Sequence, residues 1–284
     1  MDTANPTNRQ RTDSMSETPD EFELAIEWLR YAKRIVAFTG AGISADSGIA
    51  TFRDDAGIWE EFPPERFATW DGLLETLESQ PDALAAFLLA VLEPIAQAEP
   101  NAAHRALAEL ERHRNVTVVT QNVDGLHRLA GNAVVKEIHG TLFEVVTLGG
   151  RFVRLIDREE LKRIVRRLHA VRTEGSNTSD LLATIEPLIG MDANDAYRPK
   201  LVLFGDELNE PDWSDSLTAA RDCDLVISVG TSGEVYPAAQ LPLVAREAGA
   251  RVLVIDPAVG TNANVWLQSK ASEMLPRLVQ RAFG

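Results

Sequence analysis

The sequence predicts an α/β fold, a doubly wound parallel sheet with a small inserted helical module. Three observations carry that prediction. Apolar runs of strand length recur along the chain, and each ends in glycine or in small polar residues. Stretches of helix formers separate them, as a parallel sheet with crossover helices requires. One interval, residues 147–198, breaks that rhythm with a basic amphipathic stretch.

In chain order, residues 1–19 are rich in Thr, Ser, Asn, Asp and Pro and read as a disordered tail. Phe22, Leu24, Ile26, Trp28 and Leu29 fit a helix from about Pro19 to Ala32, with proline near its start. Ile35-Val36-Ala37-Phe38 reads as a buried strand that breaks into Thr39-Gly40-Ala41-Gly42. Glycines there remove Cβ atoms where backbone approaches a ligand, and the free N–H groups of the following turn favour an anion. Gly40, Gly42 and Ala45 fit the loose G-x-G-x-x-G/A template, which by itself can also be a plain tight turn.

The stretch from Asp54 to Trp70 reads as an ordered, non-regular loop that could close over a ligand. Residues 71–98 predict two or three short helices interrupted at Pro81 and Pro94, and residues 101–114 a further helix capped by Asn101. His104 and His113 on it read as surface or capping residues. A second strand, Val116 to Thr120, ends in Gln121-Asn122-Val123-Asp124-Gly125. Polar residues at the carboxyl end of a parallel strand stand where α/β folds place ligands, although a capping turn has the same composition. A third strand over 134–138 runs into His139-Gly140.

Within 147–198, Leu155 to Arg172 predicts a basic amphipathic helix and Leu181 to Leu188 another. Strands then resume at 201–204, 224–229 and 251–255, ending at Gly205-Asp206, Gly230-Thr231-Ser232-Gly233 and Asp256-Pro257. Helices are expected at 241–248 and 272–281. About six parallel strands result, a Rossmann-like sheet formed by residues 20–146 and 199–284 around the 147–198 insert.

Composition narrows the classes of function. The 284 residues carry 28 Lys+Arg against 43 Asp+Glu, a net charge of −15 that argues against nucleic acid or anionic membranes as partners. No apolar run approaches the roughly 20 residues of a membrane span, and the polar N-terminus has no signal-peptide core, so a cytoplasmic location is expected. The single cysteine, Cys223, excludes an intrachain disulfide and a multi-cysteine metal site, and reads as a small core residue.

The motifs together are more specific than any one turn. GAGIS at 40–44, SGIATFR at 47–53, TQNVDGLH at 120–127, EIHG at 137–140, RPKLVLFGDEL at 198–208, GTSGEVYPAAQLP at 230–242 and KASEMLP at 270–276 occur in one order. With them the chain resembles the sirtuin (Sir2) family of NAD-dependent protein deacylases. The resemblance implies that Gly40, Ala41, Gly42, Ser44, Arg53, Gly230, Thr231 and Ser232 hold the NAD phosphates and ribose. Asp256, Lys270 and Ala271 would complete the cofactor set, with Asp256 accepting from a ribose hydroxyl. Gln121, Asn122 and Asp124 would surround the nicotinamide end, and Phe52 would close over it. His139 would be the general base, with Asn122 beside it in the catalytic set. Val202, Phe204 and Gly205 would line the acyl-lysine tunnel, and the peptide of the acylated protein would add as a strand between 204–208 and 232–236, touching Glu234 and Val235. In the implied mechanism nicotinamide leaves with oxocarbenium character, the acyl oxygen takes the anomeric carbon, and the base activates a ribose hydroxyl.

Three departures from the family pattern stand out. Sirtuins usually carry two Cys-x-x-Cys pairs for structural zinc between the EIHG and RPK motifs; here that interval has no cysteine, so no zinc is expected. Leu88 and Val91 stand where one branch has a Tyr-x-x-Arg pair for anionic acyl groups, so neutral acyl groups, acetyl or longer, are expected. Asp206 replaces the usual glutamate, and Asp256 a common asparagine. An ADP-ribosyltransferase or NAD hydrolase, and a non-catalytic NAD or ADP-ribose sensor, are the alternative readings. The oligomeric state is not legible.

Overall fold

In the computed structural model, residues 19–51, 57–175, 177–192, 195–258, 260 and 263–284 are described. Ten strands occur among them: β1 (Arg34–Thr39), β2 (Asn115–Thr120), β3 (Val135–Glu137), β4 (Gly140–Thr147), β5 (Phe152–Leu155), β6 (Gly190–Asp192), β7 (Asp195–Leu201), β8 (Leu225–Val229), β9 (Arg251–Ile255) and β10 (Val265–Leu267). Six form a parallel sheet in the order β10-β9-β8-β1-β2-β3. The chain starts at β1 in the middle and winds outward in both directions, so a crevice opens at the carboxyl ends around β1. Register sharpens this: Thr39 lies opposite both Thr120 of β2 and Val229 of β8. The turns that follow these three strands therefore leave the sheet at one level.

The central strands are buried on both faces, which is why they read as continuous apolar runs rather than alternating ones. One face is covered by the helices Pro19–Tyr31, Ala102–Leu110 and Ala271–Phe283, which bury Leu29, Leu107, Met274 and Leu278. The other carries Asp212–Asp222 and Leu241–Glu247, which bury Ala220, Leu241 and Ala245. Asn101 caps its helix as expected, accepting from Ala103 N at 2.9 Å.

Several expectations are corrected. Residues 201–204 are not a strand of the parallel sheet. Leu201 ends β7, which runs antiparallel to β4, and the sixth parallel strand is β10. The insert is more than helical: a four-stranded antiparallel sheet, β5-β4-β7-β6, accompanies the helices Arg158–Glu174 and Thr178–Ile185, which pack on Pro81–Gln97 and share one apolar cluster with that sheet. Leu155 belongs to β5, and the first of these helices starts later, with Asp157 accepting from Glu160 N at 2.7 Å. Pro94 does not end a helix. It falls in the last turn of Pro81–Gln97, where its missing N–H forfeits only one internal bond. The loop after the opening motif contains two short helices, Ile58–Glu61 and Pro64–Phe67.

Gly140 shows why a glycine follows His139. Its φ is +74°, and a Cβ there would lie 1.7 Å from the Lys200 carbonyl oxygen. The small sheet can therefore cross directly beneath the last strand end of the large one.

Candidate active site

Two close-packed turns form the floor. Gly42 N donates to Gly230 O at 2.9 Å, and Gly40 N to Val229 O at 3.1 Å. A Cβ on Gly42 would lie 2.7 Å from Gly230 Cα, and one on Gly40 2.7 Å from Gly230 O, so the turns after β1 and β8 touch only because both lack side chains. The backbone N–H groups of Ala41, Thr231 and Ser232 donate no hydrogen bond among the described residues, and all three residues are half-buried. Such converging open donors suit a diphosphate. Gln121 Nε2 donates to Thr231 Oγ1 at 2.9 Å, tying the ends of β2 and β8 together over β1.

Behind the floor lies a buried polar network. Asn122 Nδ2 donates to Gly40 O and to Ser44 Oγ, both at 3.1 Å. Ser44 Oγ donates to Asp124 Oδ2 at 2.7 Å, and Asp124 Oδ1 accepts from Leu126 N at 2.9 Å. Burial pushes the Asp124 carboxyl above the usual carboxylate range, against the pull of Leu126 N, the Ser44 hydroxyl and Arg158. Asn122 is thus held by two acceptors of the opening motif, with its backbone N bonded to Thr120 Oγ1.

His139 follows β3 with its ring mostly buried. Its Nδ1 lies 3.0 Å from the Gln121 carbonyl oxygen, which can only accept, so Nδ1 carries the hydrogen and Nε2 holds the lone pair. Burial lowers its pKa below the ordinary imidazole value, and the Gln121 carbonyl opposes that in part. His139 O accepts from Val202 N at 3.0 Å, so the segment Val202–Gly205 starts beside the ring. Phe204 and Gly205 on it are exposed.

The remaining candidates divide. Phe52 and Arg53 lie outside the described residues. Asp256 is buried at the end of β9, where Oδ1 accepts from Ala258 N at 2.9 Å. Lys270 pairs with Asp46 Oδ1 at 3.2 Å, and Ala271 opens the last helix, so both stand beside the opening turn. Glu234 is exposed and Val235 half-buried on the segment after Gly233.

Two side chains at the site escape the reading from sequence. His104 is fully buried, not a surface or capping residue, with Nε2 3.4 Å from Ser44 Oγ and its ring 4.9 Å from that of His127. Burial first, and the neighbouring His127 second, lower its pKa to about 3. Its spacing with Leu107, on the apolar face of the helix, was the available signal. Arg158 reaches from the insert to donate to Asp124 O at 2.7 Å and lies over the Phe143 ring. By contrast, Cys223 is buried in the core as expected, its thiol pushed up to about 11 by burial.

The insert does not fit a closed zinc site. It offers no thiolate, and among the described residues no group of three or more His, Cys, Asp or Glu stands together to hold a metal.

The chain as a whole is similar to known proteins. A family model described as the Sir2 family matches residues 40–237. An NAD-dependent protein deacylase of Desulfosudis oleivorans is 38% identical over 262 residues, covering 90% of this chain and 94% of the relative. A crystal structure of a Sir2 homolog–NAD complex matches with a TM-score of 0.72 and 28% identity, covering 92% of this chain and 93% of that one. A Sir2–p53 peptide–NAD+ structure matches with a TM-score of 0.69 and 27% identity, covering 91% of this chain and 97% of that one.

Proposed function

This chain belongs to the Sir2 family, and on that premise we propose how its residues divide the work of removing acyl groups from protein lysines. It is an NAD-dependent protein deacylase; NAD is a co-substrate that supplies the bond broken at nicotinamide and the ADP-ribose that accepts the acyl group. The turns at Gly40–Gly42 and Gly230–Ser232 bind its diphosphate through open backbone donors, with Phe52, Arg53, Asp256, Lys270 and Ala271 completing the cofactor set. Asn122 and Asp124, with Gln121, orient the nicotinamide end.

The observation that carries the assignment of the base is the His139–Gln121 hydrogen bond. It fixes the tautomer that leaves Nε2 able to accept a proton, and burial keeps the ring neutral at pH 7. The peptide adds as a strand between 204–208 and 232–236, where the backbone N–H groups of Ser232, Gly233, Val235 and Tyr236 donate to no described residue. Neutral acyl groups are favoured, because Leu88 and Val91 pack on an apolar cluster and offer a carboxylate no partner. The insert is held without metal.

Incubation with NAD and an acetyl-lysine peptide, followed by mass spectrometry, tests this reading. Deacetylated peptide, nicotinamide and O-acetyl-ADP-ribose in equal amounts are expected. Labelled protein or free ADP-ribose without deacetylation would refute it, and desuccinylation faster than deacetylation would refute the neutral preference.

A further inference from the structure

The turn Leu203–Asp206 lies outside every helix and strand, yet it carries Phe204 and Gly205 at the mouth of the site. Asp206 N donates to Leu203 O at 3.1 Å within the turn, and the rest of its conformation is held from outside. Three donors face one atom, Asp206 Oδ2: Trp70 Nε1 at 3.0 Å, Leu203 N at 3.2 Å and the Arg198 guanidinium at 3.8 Å. Arg198 also stacks on the Trp70 ring, 4.3 Å from its centroid, and donates to Leu201 O at 2.8 Å. A second grip comes from two residues before Trp70, where Phe204 N donates to Ala68 O at 2.8 Å. Residues 68–70 thus hold the turn at both ends.

The aspartate is short enough to close the turn on its own backbone and still accept from the indole. A glutamate, one methylene longer, would carry its carboxylate past Leu203 N. Trp70 has no other hydrogen-bond acceptor among the described residues, so its ring and its N–H both serve this corner.

We propose that Trp70 and Asp206, bridged by Arg198, are positioning residues that set the wall of the acyl-lysine channel and so tune affinity for the acylated peptide. The inference rests on the reading that Phe204 and Gly205 line that channel. Neither side chain touches a reacting atom; both act through the turn.

The test uses Trp70→Phe, which keeps the stacking ring and removes the N–H, Asp206→Asn, and the double variant. Steady-state kinetics with an acetyl-lysine peptide, NAD affinity without peptide, and melting temperature are measured for each. Each single variant is expected to raise the peptide KM about 3- to 10-fold with little change in kcat or NAD affinity, and the double variant no further than the worse single one. An unchanged peptide KM, additive effects, or losses of NAD affinity and melting temperature in step with KM would overturn the inference while the native chain still deacetylates. If the native chain turns over no acylated peptide, the deacylase reading falls and this inference with it.

Discussion

His139 Nδ1 and the Gln121 carbonyl oxygen stand 3.0 Å apart, and this one contact decides which imidazole nitrogen can take a proton. Because burial lowers the ring's pKa, the base form is present at pH 7 and is lost only on acidification. The kcat/KM profile is therefore expected to be flat near neutrality and to fall along an acid limb below about pH 6.5. His139→Ala should lower turnover by roughly 10²–10⁴ while NAD affinity is retained. A variant with full deacylation rate would remove His139 from the role.

Gly230 is the most constrained point of the floor. Its φ is +58°, and a Cβ would lie 2.4 Å from Ile43 N. Gly230→Ala should cost about 2–4 kcal/mol and remove the rise in melting temperature that NAD produces, because the backbone turns must separate. Gly48, with φ +86° but open space around it, is the control: alanine there should cost only about 1 kcal/mol. Calorimetry with and without NAD distinguishes the two.

Much of the site was legible because strand ends are local signals. Gly40, Asn122, His139 and Gly230 each follow an apolar run, and Thr39, Thr120 and Val229 then align in register. What was illegible depended on partners far along the chain. Leu201–Phe204 is as apolar as a parallel strand, but β7 is claimed by β4, whose LFEVV run was a missed signal within the broken rhythm. Only three residues of β10 pair with β9, too few to stand out by pattern. His104 has a residue type typical of surfaces, but its helical spacing, on a face with Ala103 and Leu107, places it inside.

The two buried histidines give folding stability a pH dependence. His104 and His127 have folded pKa values lowered to about 3 and about 4, mainly by burial, against about 6.5 unfolded. Between those values the unfolded chain binds more protons, so stability rises with pH and is lost as pH falls from 6.5. The upper limit is about 3 kcal/mol for each histidine by pH 4. Asp124, raised by burial, has the opposite slope above its unfolded pKa and offsets part of this. Urea titrations at pH 7 and pH 4.5 should show the loss, and His104→Phe should reduce it. An equal loss in that variant would show that another group titrates.

The insert supplies the last prediction, because its fold must come from packing if no thiolate is there to bind metal. Leu161, Ile164, Leu168, Leu181 and Ile185 are all at most 2% exposed and join one apolar cluster with Leu84, Leu92 and Val145. Burial of side chains of this size contributes about 1.5–3 kcal/mol each, so one cluster can hold the two helices against Pro81–Gln97 and the small sheet. The pair Arg151–Asp192, at 2.8 Å, links the two hairpins but is exposed and contributes little. Leu168→Ala should therefore cost about 2–5 kcal/mol, whereas dialysis against a chelator should leave the melting temperature and activity unchanged. Stoichiometric zinc in purified protein, or a fall in melting temperature on chelation, would show that a metal holds the module after all. Arg158 extends the consequence to the site: it leaves this module to bond Asp124 O, so loosening the cluster should also weaken NAD binding. That loss would appear in Leu168→Ala even at temperatures where the large sheet stays folded.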